Sequence, residues 1–250
     1  MKKHIILWVN LHILASTIAA QNVVSNSTNN VIEDFSSQSS FLESWSCCLW
    51  DWGKMDWREE CVELVQGELL LRTKRNPESN KNKRYLSGQI YSNNKYLYGT
   101  FEARIKPNPR FPGVCTAFWA FNKNDDYWKE IDFVEIFNDS SNPNVLTFNT
   151  HTFYEQDSGP SREPSHKINR RKVPVDFDVY DYNTYRCEWT DTEIKWYVND
   201  TLLASNVNIN MHDSLVVVVS AGIREPLRRS PSVEGFPSEA YVEYIKIKSY

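Results

Sequence analysis

The chain has 250 residues, 41% of them hydrophobic and 24% charged, with a formal net charge of −4. That length suits one sizeable core, an undivided all-β domain included, and the charge balance exerts no overall pull towards nucleic acid. The unusual quantity is aromatic content: nine Trp, thirteen Tyr and twelve Phe exceed what a core of this size needs, and flat apolar ring faces are what sugar rings stack on.

Residues 1–20 have the layout of a secretory signal peptide. Lys2 and Lys3 open it, Ile5 to Ile18 form the apolar stretch, and Ala15, Ser16, Thr17, Ala19 and Ala20 surround a cleavage region. Asn10 and His12 interrupt the stretch, which is too short to span a bilayer, and no later run is longer. The expected product is exported, with no membrane association after signal cleavage, no nucleic-acid partner and a monomeric state. Residues 21–31 are polar and read as a disordered lead-in, which leaves 32–250 as the folded domain.

Export makes the cysteines readable. Cys47, Cys48, Cys61, Cys115 and Cys187 are odd in number, so at most two intramolecular bridges can form. The expected one joins Cys61 to Cys47 or Cys48 across a short loop, and Cys115 and Cys187, inside apolar strand patterns, are expected as buried thiols. No Cys/His spacing suits zinc. Sequons at Asn26, Asn138 and Asn199 matter in a host that glycosylates.

Strand patterns follow one another from there: 61–65, 68–73, 88–92, 99–106, 116–121, 129–137, 145–153, 183–189, 193–198, 201–204, 215–221 and 240–249. Val198-Asn199-Asp200-Thr201 has hairpin-turn chemistry. No segment keeps a 3.6-residue period. Short strands and turns in one exported domain predict an all-β sandwich, a jelly roll of two antiparallel sheets with one bent to present a concave groove.

The stretch that carries chemistry is Trp128-Lys129-Glu130-Ile131-Asp132-Phe133-Val134-Glu135. Side chains alternate along a strand, so Trp128, Glu130 and Asp132 share one face and Ile131 and Phe133 the other. Glu135 has the wrong parity. One extra residue, a β-bulge at Phe133-Val134, would return it to the acid face. Glu130 and Glu135 would then stand roughly 13 Å apart at their α-carbons, at about 3.3 Å per residue. Two Glu side chains leaning over a concave surface can narrow that to the roughly 5–5.5 Å between the carboxyls of a retaining glycosidase. Asp132, shorter and between them, suits a supporting role. A Glu-x-Asp-x-x-Glu match arises by chance in about 5% of chains this long, so the surroundings must decide.

They do so through Tyr98-Gly99-Thr100-Phe101-Glu102-Ala103-Arg104-Ile105-Lys106, Ala117-Phe118-Trp119, the acid stretch, Asp181-Tyr182-Asn183-Thr184-Tyr185-Arg186-Cys187-Glu188-Trp189-Thr190, Ile194-Lys195-Trp196-Tyr197-Val198-Asn199-Asp200, Gly235-Phe236-Pro237 and Tyr241-Val242-Glu243-Tyr244. Their order over roughly residues 60–250 resembles glycoside hydrolase family 16. The resemblance implies a concave jelly roll that cuts β-linked polysaccharides internally with retention of configuration. Glu130 then matches the nucleophile, Asp132 its supporting acid and Glu135 the general acid/base.

Within that family, Phe111-Pro112-Gly113-Val114 and Ser220-Ala221-Gly222-Ile223-Arg224-Glu225-Pro226 are similar to the kappa-carrageenase-type branch. There the arginine matching Arg224 faces a substrate sulfate, a fit to a guanidinium fork. The implied substrate is a sulfated algal galactan; the alternative is a β-1,3(4)-glucan. Family glucanases carry Trp and Gly where this chain has Cys115-Thr116 and Lys129. A non-catalytic carbohydrate-binding module is the remote alternative, and retention of all three acids argues against it. Basic residues Arg162, Lys167, Arg170, Arg171 and Lys172 populate the segment 155–180, and Arg228 and Arg229 follow Arg224. Trp128, by parity, and Trp119, by family position, are expected to line the groove. His151 is expected as a substrate contact or proton-tuning group. No cofactor is required; a structural calcium of the family would fall at Glu243.

Overall fold

The computed structural model describes residues 30–48, 55–78, 83–109, 113–124, 127–137, 144–154, 165–223 and 235–250, with backbone alone at 154 and 165–170. In chain order it contains β1 (Asn30–Glu33), α1 (Gln38–Ser44), β2 (Trp45–Cys47), β3 (Met55–Trp57), a 3₁₀ turn (Glu59–Cys61), β4 (Val62–Val65), β5 (Glu68–Arg75), β6 (Tyr85–Tyr96), β7 (Gly99–Lys106), β8 (Val114–Lys123), β9 (Tyr127–Phe137), β10 (Val145–Tyr154), β11 (Ser165–Pro174), β12 (Asn183–Trp189), β13 (Glu193–Val198), β14 (Thr201–Val207), β15 (Leu215–Ile223) and β16 (Ser238–Ser249). Among these residues no helix is long and apolar enough to cross a membrane.

The strand order is β11-β10-β9-β8-β15-β6-β5-β16-β7-β12-β13-β14. Each pairing along this path is antiparallel. The jelly roll is therefore as expected, with one refinement: β6 belongs to both sheets. Its Tyr85–Ser87 end pairs with β5 and its Gly88–Tyr96 part with β15. At the far side the two edges approach each other, and Arg171 Nε of β11 donates to Asn206 Oδ1 of β14 at 3.1 Å.

Alternation explains the outer sheet. In β12, Asn183, Tyr185, Cys187 and Trp189 are buried and the residues between them are not. The β13–β14 turn places both Asn199 and Asp200 at positive φ, 48° and 63°, the combination a two-residue hairpin requires and Asn and Asp tolerate. β8 is buried along most of its length, because one face meets the core and the other an aromatic layer in the groove. The aromatic core joins the sheets: Phe101 of β7 stacks on Phe133 of β9 at 4.9 Å and Phe148 of β10 lies 6.0 Å from Trp196 of β13.

The bulge in β9 is present. Across β8, Phe118 opposes Val134 while Trp119 opposes Asp132; across β10, Thr147 opposes Glu135 while Asn149 opposes Asp132. Phe133 is the extra residue. Phe133 and Val134 both enter the main core, and the next residue, Glu135, is delivered to the opposite face. At the bulge the indole Nε1 of Trp196 crosses from the outer sheet and donates to the carbonyl oxygen of Asp132 at 2.9 Å.

Three expectations need correction. Asn30 and Val31 are not lead-in: they pair with Lys248 and Ile247 in the β1–β16 ladder. Residues 165–174 are strand β11. The bridge from Cys61 to Cys47 or Cys48 is not formed. Cys47 sits in the β2–β6 ladder opposite Ile90 and packs on the main core, Cys48 packs on a separate cluster around Met55 and Trp57, and Cys61 presses its carbonyl against Gly88. Burial pushes the Cys47 thiol up to about 11, so it stays protonated and unreactive at neutral pH. Cys115 and Cys187 are buried, as expected.

Lys129 at the start of β9 pairs with Asp213 ahead of β15, and Tyr127 Oη donates to the same carboxylate at 3.0 Å. Burial alone would raise the Asp213 carboxyl, but the Lys129 and Tyr127 hydrogen bonds and the Lys129 charge outweigh it and hold it below its ordinary value. A depressed carboxyl adds stability above its unfolded pKa and loses it as pH falls through the folded one. Asp213→Asn is thus expected to unfold at lower urea concentration than the parent at pH 7, with the gap closing as pH falls below about 4. Trp196→Phe, which leaves the buried Asp132 carbonyl unpaired, is expected to lose about 1–3 kcal/mol, measured by urea denaturation.

Candidate active site

With the bulge in place, β9 carries Trp128, Glu130, Asp132 and Glu135 on one face, and the register supplies their neighbours. His151 stands opposite Glu130 and Asn149 opposite Asp132 on β10; Phe121, Trp119 and Ala117 stand opposite Glu130, Asp132 and Glu135 on β8.

The acids are joined by N–H donors. Trp128 Nε1 donates to Glu130 Oε2 at 2.8 Å. His151 Nε2 lies 3.1 Å from Asp132 Oδ2 and 3.6 Å from Glu130 Oε1. Asn149 Nδ2 donates to Asp132 Oδ2 at 2.6 Å and to Glu135 Oε2 at 2.5 Å. Asp132 and Glu135 are each 1% exposed, and the Glu130 side chain is 14% exposed. Three carboxylates this close and this desolvated repel one another unless donors separate them or a proton is retained. In this row the Trp128, His151 and Asn149 nitrogens stand between the carboxylates as those donors.

The four expected groove residues fare differently. Trp128 does more than offer a ring: its N–H holds Glu130, and it stacks on Phe121 at 5.3 Å. Trp119 is 6% exposed beside Asp132, with Nε1 donating to Ser220 Oγ at 3.2 Å. His151 contacts the acids themselves. Arg224 lies outside the described residues, as do Arg162, Arg228 and Arg229. Lys172, exposed on β11, is in register with Thr147, itself opposite Glu135, and Arg170 occupies the position opposite Asn149.

Sequence reasoning missed Asn149 and Phe121. Asn149 has the parity of His151 in a strand next to the acids, which is the signal that could have found it; an uncharged amide attracts less notice.

Glu130, Asp132 and His151 bring one ligand atom each within 4.8 Å of one another. Trp128 and Asn149 already donate to those carboxylates, so the group reads as a hydrogen-bonded acid row rather than a metal centre. Glu243 does not fit a calcium. Its Oε2 accepts from Arg104 Nε at 2.6 Å, and Arg104 and Lys106 both lie over the nearby Tyr182 ring, at 5.5 and 5.6 Å, so two cations already occupy the neighbourhood a calcium would need.

Among proteins of known identity, the kappa-carrageenase of Pseudoalteromonas carrageenovora is 27% identical over 240 residues, covering 81% of this chain and 59% of that protein. The endo-1,3-1,4-beta-glycanase ExsH of Rhizobium meliloti is 31% identical over 170 residues, covering 66% of this chain and 34% of its own length. This chain therefore spans less than two thirds of either relative. The crystal structure of the P. carrageenovora kappa-carrageenase in complex with an oligotetrasaccharide of kappa-carrageenan superposes with a TM-score of 0.75 at 23% identity, covering 92% of this chain and 98% of that one, which establishes the shared fold. The family model for glycosyl hydrolases family 16 matches residues 50–214. With that match over most of its length and an acid row bulged at Phe133, the chain belongs to the glycosyl hydrolases family 16.

Proposed function

We propose that this protein is an exported, endo-acting β-glycoside hydrolase that works with retention of configuration on a sulfated galactan of the carrageenan type. The observation that carries the reading is the convergence of Glu130, Asp132 and Glu135 on one face across the bulge. Protonated Glu135 gives its proton to the glycosidic oxygen while ionised Glu130 attacks the anomeric carbon; Glu135 then takes a proton from the water that releases the glycosyl-enzyme. Asp132 and His151 lie between the two in the row, and the Trp128 N–H holds the Glu130 carboxylate in place.

Substrate class rests on likeness and charge. The kappa-carrageenase of P. carrageenovora is similar over most of this chain, and Lys172 and Arg170 occupy β11 beside the acid row, where cations suit a sulfated polymer. Similarity to ExsH and to the beta-glucanase of Rhodothermus marinus supports the second reading, an endo-β-1,3(4)-glucanase. Export rests on the signal-like residues 1–20.

Purified protein incubated with kappa-carrageenan, other carrageenans, porphyran, agarose, laminarin and lichenan is expected to release reducing ends from kappa-carrageenan, with the β-anomer appearing first by NMR. Glu130→Gln is expected to lower the rate by about 10³-fold or more. Cleavage of glucans alone would overturn the galactan reading; binding to a polymer without cleavage would overturn the enzyme reading.

A further inference from the structure

Asn149 is fully buried at the centre of the groove sheet, and its single amide nitrogen serves two of the three acids. It reaches both because of the bulge: Asn149 is directly opposite Asp132, the next groove-facing residue along β10, Thr147, is opposite Glu135, and β9 crowds four residues into that interval against three on β10. An amide NH₂ has two hydrogens and no acceptor capacity, so each can point at one carboxylate oxygen. The reversed amide would aim its carbonyl oxygen at two carboxylate oxygens. His151 Nε2 shares Asp132 Oδ2 at 3.1 Å, so that oxygen is an acceptor from two sides.

Resting on the proposed glycosidase reading, we infer that Asn149 is a positioning residue that fixes which oxygen of Glu135 carries the transferable proton. Glu135 Oε2 is occupied as an acceptor from the amide, so the proton of the acid form resides on Oε1. In the first step Oε1–H passes its proton to the glycosidic oxygen as the C1–O bond breaks with its electron pair going to that oxygen, and a Glu130 oxygen forms the new bond to C1. In the second step water adds to C1, its proton goes to Oε1, and the C1–Glu130 bond pair returns to Glu130. The amide contact on Oε2 spans both steps, so Glu135 need not re-orient between donating and accepting. Among the described residues, the charged and titratable groups facing this pair are Asp132 and Glu130 on β9 and His151 on β10; β11 places Arg170 in register with Asn149 and Lys172 with Thr147, and β8 offers Trp119 and Ala117, which do not titrate.

The inference separates acid catalysis from nucleophilic attack, and so does its test. Asn149→Ala is assayed on the polysaccharide and, by its pre-steady-state burst, on a 2,4-dinitrophenyl glycoside of an oligosaccharide of the same polymer, whose leaving group departs without a proton. Expected is a fall of about 10²-fold on the polysaccharide, within the range of general acid catalysis, against less than about fivefold in the burst. The alkaline limb of kcat/KM should move to higher pH, because a hydrogen bond that favoured ionised Glu135 is gone. Equal losses on both substrates with an unmoved alkaline limb would overturn the inference and leave Asn149 a structural residue. Glu135→Ala, run alongside, tells that failure from a failure of the underlying reading: if Glu135→Ala also shows no dependence on the leaving group, the acid/base assignment itself falls. Asn149→Ser, whose one hydroxyl proton can serve only one of the two acids, is expected to lie between parent and alanine variant, and it carries the same comparison if Asn149→Ala does not fold.

Discussion

The hydrogen bond from the Trp196 indole to the Asp132 carbonyl holds the acid row in phase. A bulge removes a residue from the ladder and leaves its flanking carbonyl short of a partner, a cost that buried main chain seldom bears alone. Here the partner comes from the opposite sheet, through an aromatic side chain that is itself fully buried. Phe133 and Val134 fill the core on the same side. The outer sheet thereby decides the register of the inner one: without Trp196 below and Phe101 stacked on Phe133, a regular strand would turn Glu135 into the core.

Above the strand the same position is controlled by polar contacts. Indole, imidazole and amide nitrogens interleave with the three carboxylates in the order Trp128, Glu130, His151, Asp132, Asn149, Glu135. Lys172, exposed on β11, lies one strand further out than this row.

Strands with one solvated face were legible almost to the residue: 99–106, 183–189 and 193–198 match β7, β12 and β13, because alternation survives only where one side meets water. β8 and β9 run longer than their patterns suggested, since the groove buries the second face under Trp119, Phe121 and Trp128. α1 spans seven residues, two turns, too few to establish a period. β11 was missed because its charges resemble a loop when its pairing with β10 is unknown. The acids and even the bulge could be read from parity, whereas Asn149 depends on register between two strands, one of them irregular. The cysteine bridge failed for a related reason: closeness in sequence placed Cys47, Cys48 and Cys61 together, while Cys47 packs on the main core, Cys48 on the Met55–Trp57 cluster, and the Cys61 carbonyl lies against Gly88.

The position of β16 in the sheet order has a consequence for the order in which the fold can close. Although last in sequence, it lies between β5 and β7, and it also carries β1 from the far end of the described chain. Until those twelve residues pair, β5 and β7 each present an open edge and the outer sheet is split in two. Unpaired edges of that kind template aggregation, and long-range strand pairing is slow to form. Closure of the sandwich is therefore a late event in folding: it waits for one strand that must find partners from both halves of the outer sheet and from β1 at once.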